Sequence, residues 1–145
     1  MLEKRAKRRA LYILQRMERT EYQLRQKLQE NGYPEEIVQC AIDYVKSFHY
    51  VDDYRYACTY IRYHQAEKSR LQLKMKLYER GVASDLIEQA LEDEYSGEEE
   101  QLINRLLEKK HYDAETMGQK EKQRLYQYLM RRGFRSETIR RQMGI

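Results

Sequence analysis

LMRRGFRSETI, residues 129–139, ends one apolar run at a glycine, follows it with an aromatic residue, and begins a second run. Two near-copies lie upstream, LQENGYPEEIV at 28–38 and LYERGVASDLI at 77–87. Aligned by position, Leu24, Leu28, Gly32, Tyr33, Val38 and Ile42 match Leu73, Leu77, Gly81, Val82, Ile87 and Leu91. The third set is Leu125, Leu129, Gly133, Phe134, Ile139 and Met143. The glycines are 49 and then 52 residues apart, a period of about fifty that belongs to helical arrays. Glycine has a mechanical reason to recur here. If each helix ends with glycine at C′, then Leu28, Leu77 and Leu129 stand at C3 and Tyr33, Val82 and Phe134 at C″. Those two positions touch across a Schellman motif. Glycine also accepts the left-handed conformation that a side chain penalises by about 1 kcal/mol or more. Each copy therefore reads as a helix–stop–helix corner pinned by an apolar clasp.

Working outward, start signals agree with these stops. TEYQ (20–23) and SRLQ (69–72) have the form of capping boxes, each four residues before the matched leucine. TMGQ (116–119) has the same form but lies earlier relative to Leu125, which predicts a longer middle helix in the third copy. Pro34 with two following glutamates suits a helix start, and Ser84 with Asp85 and Ser136 with Glu137 suit two more. A further helix precedes each corner. Its apolar stripe is Ala6, Ala10, Ile13, Leu14 and Met17, then Tyr56, Ala57, Tyr60, Ile61 and His64, then Leu102, Ile103, Leu106 and Leu107. The third helices carry Val38, Ala41, Ile42, Val45 and Phe48, then Ile87, Ala90 and Leu91, then Ile139 and Met143. No segment alternates with period two. The expected fold is all-α: nine helices in three tandem three-helix repeats, at 1–50, 51–96 and 97–145. A fifty-residue unit is small for an independent core, so the units should lean on their neighbours in an elongated, curved array.

Composition supports this. The chain has 145 residues, 41% of them hydrophobic and 36% charged, with one proline and six glycines, a vocabulary of long helices and short connections. Nothing reads as a membrane span or a signal peptide, and the expectation is a cytoplasmic monomer. Cys40 and Cys58 fall inside helical periodicity, and His49, His64 and His111 make no zinc spacing with them. Neither a metal nor a cofactor is expected.

The net charge of +4 matters less than its distribution. Lys4, Arg5, Lys7, Arg8 and Arg9 crowd the start, and Arg131, Arg132, Arg135, Arg140 and Arg141 crowd the end. Between them DLIEQALEDEYSGEEE (85–100) holds acids and no base. These ten basic residues are the candidate contacts to a polyanion, through phosphates rather than bases, because no recognition-helix signature accompanies them. The acidic segment is either a protein contact or a solvated helix. Asp52 and Asp53 in YVDDYRYA (50–57) could suggest acid–base chemistry, but Asp52 as a helix cap with Asp53 in the first turn accounts for both. No nucleophile, base or phosphate loop joins them, so neither an enzyme nor a small-molecule substrate is expected.

Three blocks resemble the RecX family of regulatory proteins. ALYILQRMERTEYQLRQKL (10–28) is similar to its opening signature through Arg19, Thr20, Leu24, Lys27 and Leu28, with Gln23 where the family has glutamate. YVDDYRYA resembles its Leu-Asp-Asp…Arg-Phe-Ala block, with Val51 and Tyr56 as departures, and LMRRGF with Ile139 resembles its Arg-Gly-Phe block. The similarity covers residues 6–143 and is least diagnostic over 92–120. It implies tandem three-helix repeats and a non-catalytic modulator of the RecA recombinase. Such a protein binds the RecA–DNA filament and suppresses ATP hydrolysis and strand exchange in recombination, repair and the SOS response. The implied partners are the RecA filament and single-stranded DNA, with double-stranded DNA a further candidate. The charge pattern alone also fits a general DNA-binding helical protein, or a helical scaffold for another protein.

Overall fold

The glycine corners form as the sequence dictates. The computed structural model describes residues 1–145, and in it Gly32, Gly81 and Gly133 take φ of +86°, +85° and +91°. The amides of Tyr33, Val82 and Phe134 donate to the carbonyls of Leu28, Leu77 and Leu129 at 3.4, 3.1 and 3.4 Å. Each glycine amide reaches one carbonyl further along, to Gln29, Tyr78 and Met130. Those two bonds define the Schellman closure.

The chain consists of nine α-helices and contains no strand. The first unit holds α1 (Leu2–Arg16), α2 (Glu21–Glu30) and α3 (Glu35–Ser47). The second holds α4 (Asp53–His64), α5 (Arg70–Glu79) and α6 (Ser84–Glu94), and the third α7 (Glu99–Lys109), α8 (Gln119–Arg131) and α9 (Ser136–Met143). Both expected capping boxes are present: Thr20 and Ser69 accept from the amides of Gln23 and Gln72, whose side chains accept in return. Asp52 caps α4 through the Arg55 amide at 3.0 Å. The middle helix of the third unit is longer than its counterparts, 13 residues against 10.

Each unit closes around its own core. The first contains Ala6, Ala10, Leu24, Leu28 and Ile42, the second Ala57, Ile61, Leu73, Leu77 and Leu91, and the third Ile103, Leu107, Leu129, Phe134 and Ile139. These are the residues at the repeated apolar positions.

Several expected details differ. Phe48 is 52% exposed rather than buried, because α3 stops at Ser47 and His49, at φ +60°, turns the chain. The Tyr50 amide then closes on the Val45 carbonyl at 3.0 Å, and Val51 enters the first core in place of Phe48. His111, at φ +56°, ends α7 in the same way. Met17 is exposed because it lies beyond the last turn of α1 in extended backbone. TMGQ is not a capping box: α8 begins at Gln119 with Gly118 before it and no side-chain cap. Ser84 and Ser136 do open α6 and α9, preceded by Ala83 and Arg135, whereas Pro34 precedes α3 instead of entering its first turn.

Neighbouring units meet at a junction that is built twice from the same parts. Thr20 Oγ1 donates to the Arg80 carbonyl at 2.6 Å. Glu21 N–H donates to Asp53 Oδ1 at 2.9 Å, and Tyr22 lies against Gly81. One repeat later, Ser69 Oγ donates to the Arg132 carbonyl and Arg70 N–H to Glu99 Oε1 at 3.1 Å, while Leu71 lies against Gly133. The start of one middle helix thus docks on the glycine corner of the next. Thr20 and Ser69 are the two buried polar residues of the molecule, and each hydroxyl serves both a cap and a junction, so neither is left unsatisfied. Gly32 has open space where Gly81 and Gly133 have a neighbour from the preceding unit.

Candidate functional site

The basic face of α1 follows from its apolar one. Ala6, Ala10 and Ile13 turn into the core, so helical spacing directs Lys4, Arg5, Arg8 and Arg9 to solvent and leaves Lys7 half-buried. Lys7 Nζ lies 4.8 Å from the Tyr44 ring centroid and the Arg9 guanidinium 5.2 Å from that of Tyr12. None of the five forms an ion pair.

The C-terminal basic residues are less uniform. Arg131 and Arg135 are exposed, and Arg132 is half-buried at the end of α8. Arg140 and Arg141 occupy the last turn of α9, where unpaired carbonyls favour cations. Arg140 stands over the Tyr126 ring at 5.6 Å, and Arg141 pairs with Glu100 at 2.8 Å. The structure gathers the α1 set on one helix and divides the second set among α8, its following loop and α9. The two sets sit on the first and third units, and no hydrogen bond joins those units.

The acidic segment is largely engaged within the chain. Glu88 pairs with Arg70 and Lys74 at 3.1 and 2.6 Å, and the hydrogen bonds from Lys74 and Arg70 hold its carboxyl below the usual carboxylate range. Glu94 pairs with Arg62, Glu100 with Arg141, and Glu99 accepts from Arg70 N–H and the Tyr95 hydroxyl. Asp93 accepts from the Tyr54 hydroxyl, a bond that raises the phenol pKa. Asp53 is also structural. Burial pushes its carboxyl above the usual range, while the Glu21 amide it accepts across the junction acts the other way.

Of the tyrosines, Tyr60 is buried, and Tyr33 and Tyr56 pack against cores as their positions predict. Tyr12, Tyr22, Tyr63 and Tyr78 are exposed, and Tyr126 and Tyr128 pack partly against the third core. Both cysteines are free, and no group of three or more His, Cys, Asp or Glu side chains is placed to hold a metal. No helix is long and apolar enough to cross a membrane.

Sequence reasoning missed a third basic cluster. Lys68, Arg105, Lys109 and Lys110 join Arg132 around a cleft between the second and third units. Arg105, Lys109 and Lys110 fall within one short stretch of sequence, but Lys68 comes from the loop before α5 and Arg132 from the end of α8, and no linear window connects the three stretches.

Comparison with known proteins fits this architecture unit by unit. Family models described as the first, second and third three-helix domains of RecX match residues 6–44, 52–91 and 98–143. The regulatory protein RecX of Caldanaerobacter subterraneus subsp. tengcongensis is 34% identical over 144 residues, covering 98% of this chain and 71% of the relative. That of Clostridium acetobutylicum is 32% identical over 135 residues, covering 89% of this chain. The chain spans 63% of the length of that second relative and 60% of a third, from Clostridium perfringens. Among solved structures, RecX from Lactobacillus salivarius superimposes with a TM-score of 0.83 at 20% identity, over 99% of this chain and 95% of that one, a likeness of fold alone. A crystal structure of a regulatory protein RecX gives 0.82 at 26% identity, over 94% of this chain and 69% of that one. With all three units matched in order, the chain belongs to the RecX family of regulatory proteins.

Proposed function

We propose that this protein is a non-catalytic regulator that binds the RecA–DNA filament and inhibits the recombinase, lowering ATP hydrolysis and strand exchange in recombination, repair and the SOS response. The observation that carries this reading is the match of all three units, in order, to the three RecX domains. Inhibition is by occupancy: a row of three units, with modules at 1–50, 51–96 and 97–145, lies along the filament as a monomer in the cytoplasm. In this reading Lys4, Arg5, Lys7, Arg8 and Arg9, with Arg131, Arg132, Arg135, Arg140 and Arg141, meet phosphates of the enclosed DNA. Such contacts are non-specific in sequence and weaken steeply with salt. The engagement of Glu88, Glu94, Glu99 and Glu100 within the chain argues against the acidic segment as the main protein contact.

The test is RecA ATPase on single-stranded DNA with this protein titrated from substoichiometric to equal amounts. A dose-dependent fall is expected, and an unchanged rate at every ratio defeats the proposal. The unpaired cations of α1 favour a second reading, general DNA binding. It predicts equal affinity for naked strand and filament across a salt series, whereas the regulator prefers the filament.

A further inference from the structure

The cleft between the second and third units has a volume of about 870 Å³. Lys68 reaches it from the segment before α5, Arg105 and Lys109 from α7, Lys110 from just beyond that helix, and Arg132 from the end of α8, with Glu67 the one acid on its wall. None of these five cations belongs to an ion pair, although ten pairs form elsewhere in the chain.

Neutral groups position the cations instead. Lys110 Nζ and the Arg132 guanidinium each lie 4.9 Å from the centroid of the Tyr128 ring, which attracts both through its quadrupole. Arg132 Nη1 donates to the Glu67 carbonyl at 3.4 Å, and Lys68 Nζ donates to the Tyr60 hydroxyl at 3.2 Å. Arg105 and Lys109 stand one turn apart on an exposed face of α7. A ring, a hydroxyl and a carbonyl fix Lys68, Lys110 and Arg132 without cancelling their charge. Gathering like charges without acids is unfavourable in the free protein, and an arriving polyanion relieves it.

We propose that this cleft is a groove for the phosphate backbone of single-stranded DNA. The choice of DNA as the polyanion rests on the function proposed above; the cleft itself rests on geometry. Its size is that of a small-molecule site, with room for a short run of one strand and too little to seat a duplex. The Tyr128 ring is occupied by its two cations, so the contact is to phosphates and is indifferent to base identity. An acidic protein segment fits less well. A protein partner needs an exposed apolar anchor, and Leu102 and Leu106 on the cleft floor are buried.

The test uses the whole chain without RecA and a fluorescent oligothymidylate, followed by anisotropy across a salt series. Arg105→Glu with Lys109→Glu is compared with Lys27→Glu with Lys76→Glu, an equal charge change outside the cleft, and thermal unfolding checks that both variants are folded. The cleft variant should bind at least tenfold more weakly at low salt and show a shallower salt slope, by about one for each phosphate that the protein no longer neutralises. The control should stay within about twofold. Three results overturn the proposal: no binding by the unmodified protein at low salt, equal losses in the two variants, or a cleft variant that loses polyglutamate while keeping DNA. Because RecA is absent, the outcome is separable from the ATPase test. Cleft-dependent DNA binding without recombinase inhibition would sink the regulatory role and leave the groove standing.

Discussion

The three repeated glycines are equivalent in conformation and unequal in surroundings. All have left-handed backbone, so an alanine at any of them costs about 1 kcal/mol in φ alone. At Gly32 the new methyl would meet open space, whereas at Gly81 it would overlap the Cβ and Cγ of Tyr22, and at Gly133 it would lie 2.7 Å from Leu71 Cβ. Gly32→Ala should therefore destabilise by about 1 kcal/mol and Gly81→Ala by about 2 kcal/mol or more, the difference being overpacking. Urea denaturation of the two variants measures it, and equal losses would contradict the junction. Sequence made the left-handed requirement legible at all three positions. It could not reveal the second demand on Gly81 and Gly133, because Tyr22 and Leu71 lie some sixty residues away.

At the scale of elements, the capping boxes separate local from tertiary information. TEYQ, SRLQ and TMGQ are alike as strings, yet two are caps and the third is not. Thr20 and Ser69 are fixed by carbonyls of the following unit as well as by their own helices. The start of α8 makes no such bond to another unit, and that helix begins after Gly118 without a side-chain cap. Thr20→Val should cost about 2 kcal/mol, combining a lost cap with a part-buried carbonyl left unpaired. Thr116→Val should change stability by less than about 0.5 kcal/mol, as at an ordinary exposed site. Thermal unfolding of both variants checks the contrast, and similar losses would restore TMGQ as a cap. Helix ends were also harder to read than helix centres. The periodicity of α3 runs on to Phe48, but His49 takes left-handed backbone, and the aromatic ring is left outside beside Tyr44 and Tyr50.

For the whole molecule, three separate cores and two narrow junctions imply nearest-neighbour energetics. Leu129, 1% exposed in the third core, is a direct probe. Leu129→Ala should cost about 2–5 kcal/mol and lower amide protection in α7–α9 while α1–α3 stay protected in native-state hydrogen exchange. Uniform loss across all nine helices would indicate one cooperative globule instead. The basic candidates differ in the same way. The clusters on α1 and near the C-terminus are runs in sequence and could be read directly, whereas the cleft of Lys68, Arg105, Lys109, Lys110 and Arg132 exists only once the second and third units meet.

The sequence by itself determined the helices, the number of units and the corners, because apolar spacing, capping and left-handed glycine act over a few residues. Only the tertiary structure decided what the junctions hold together and where unpaired charge accumulates. Thr20 and Arg80, Ser69 and Arg132, and the three stretches that supply the cations of the cleft (Lys68, Arg105 to Lys110, and Arg132) are separated by tens of residues along the chain. Their hydrogen bonds and fields depend on distances in space that no local pattern encodes.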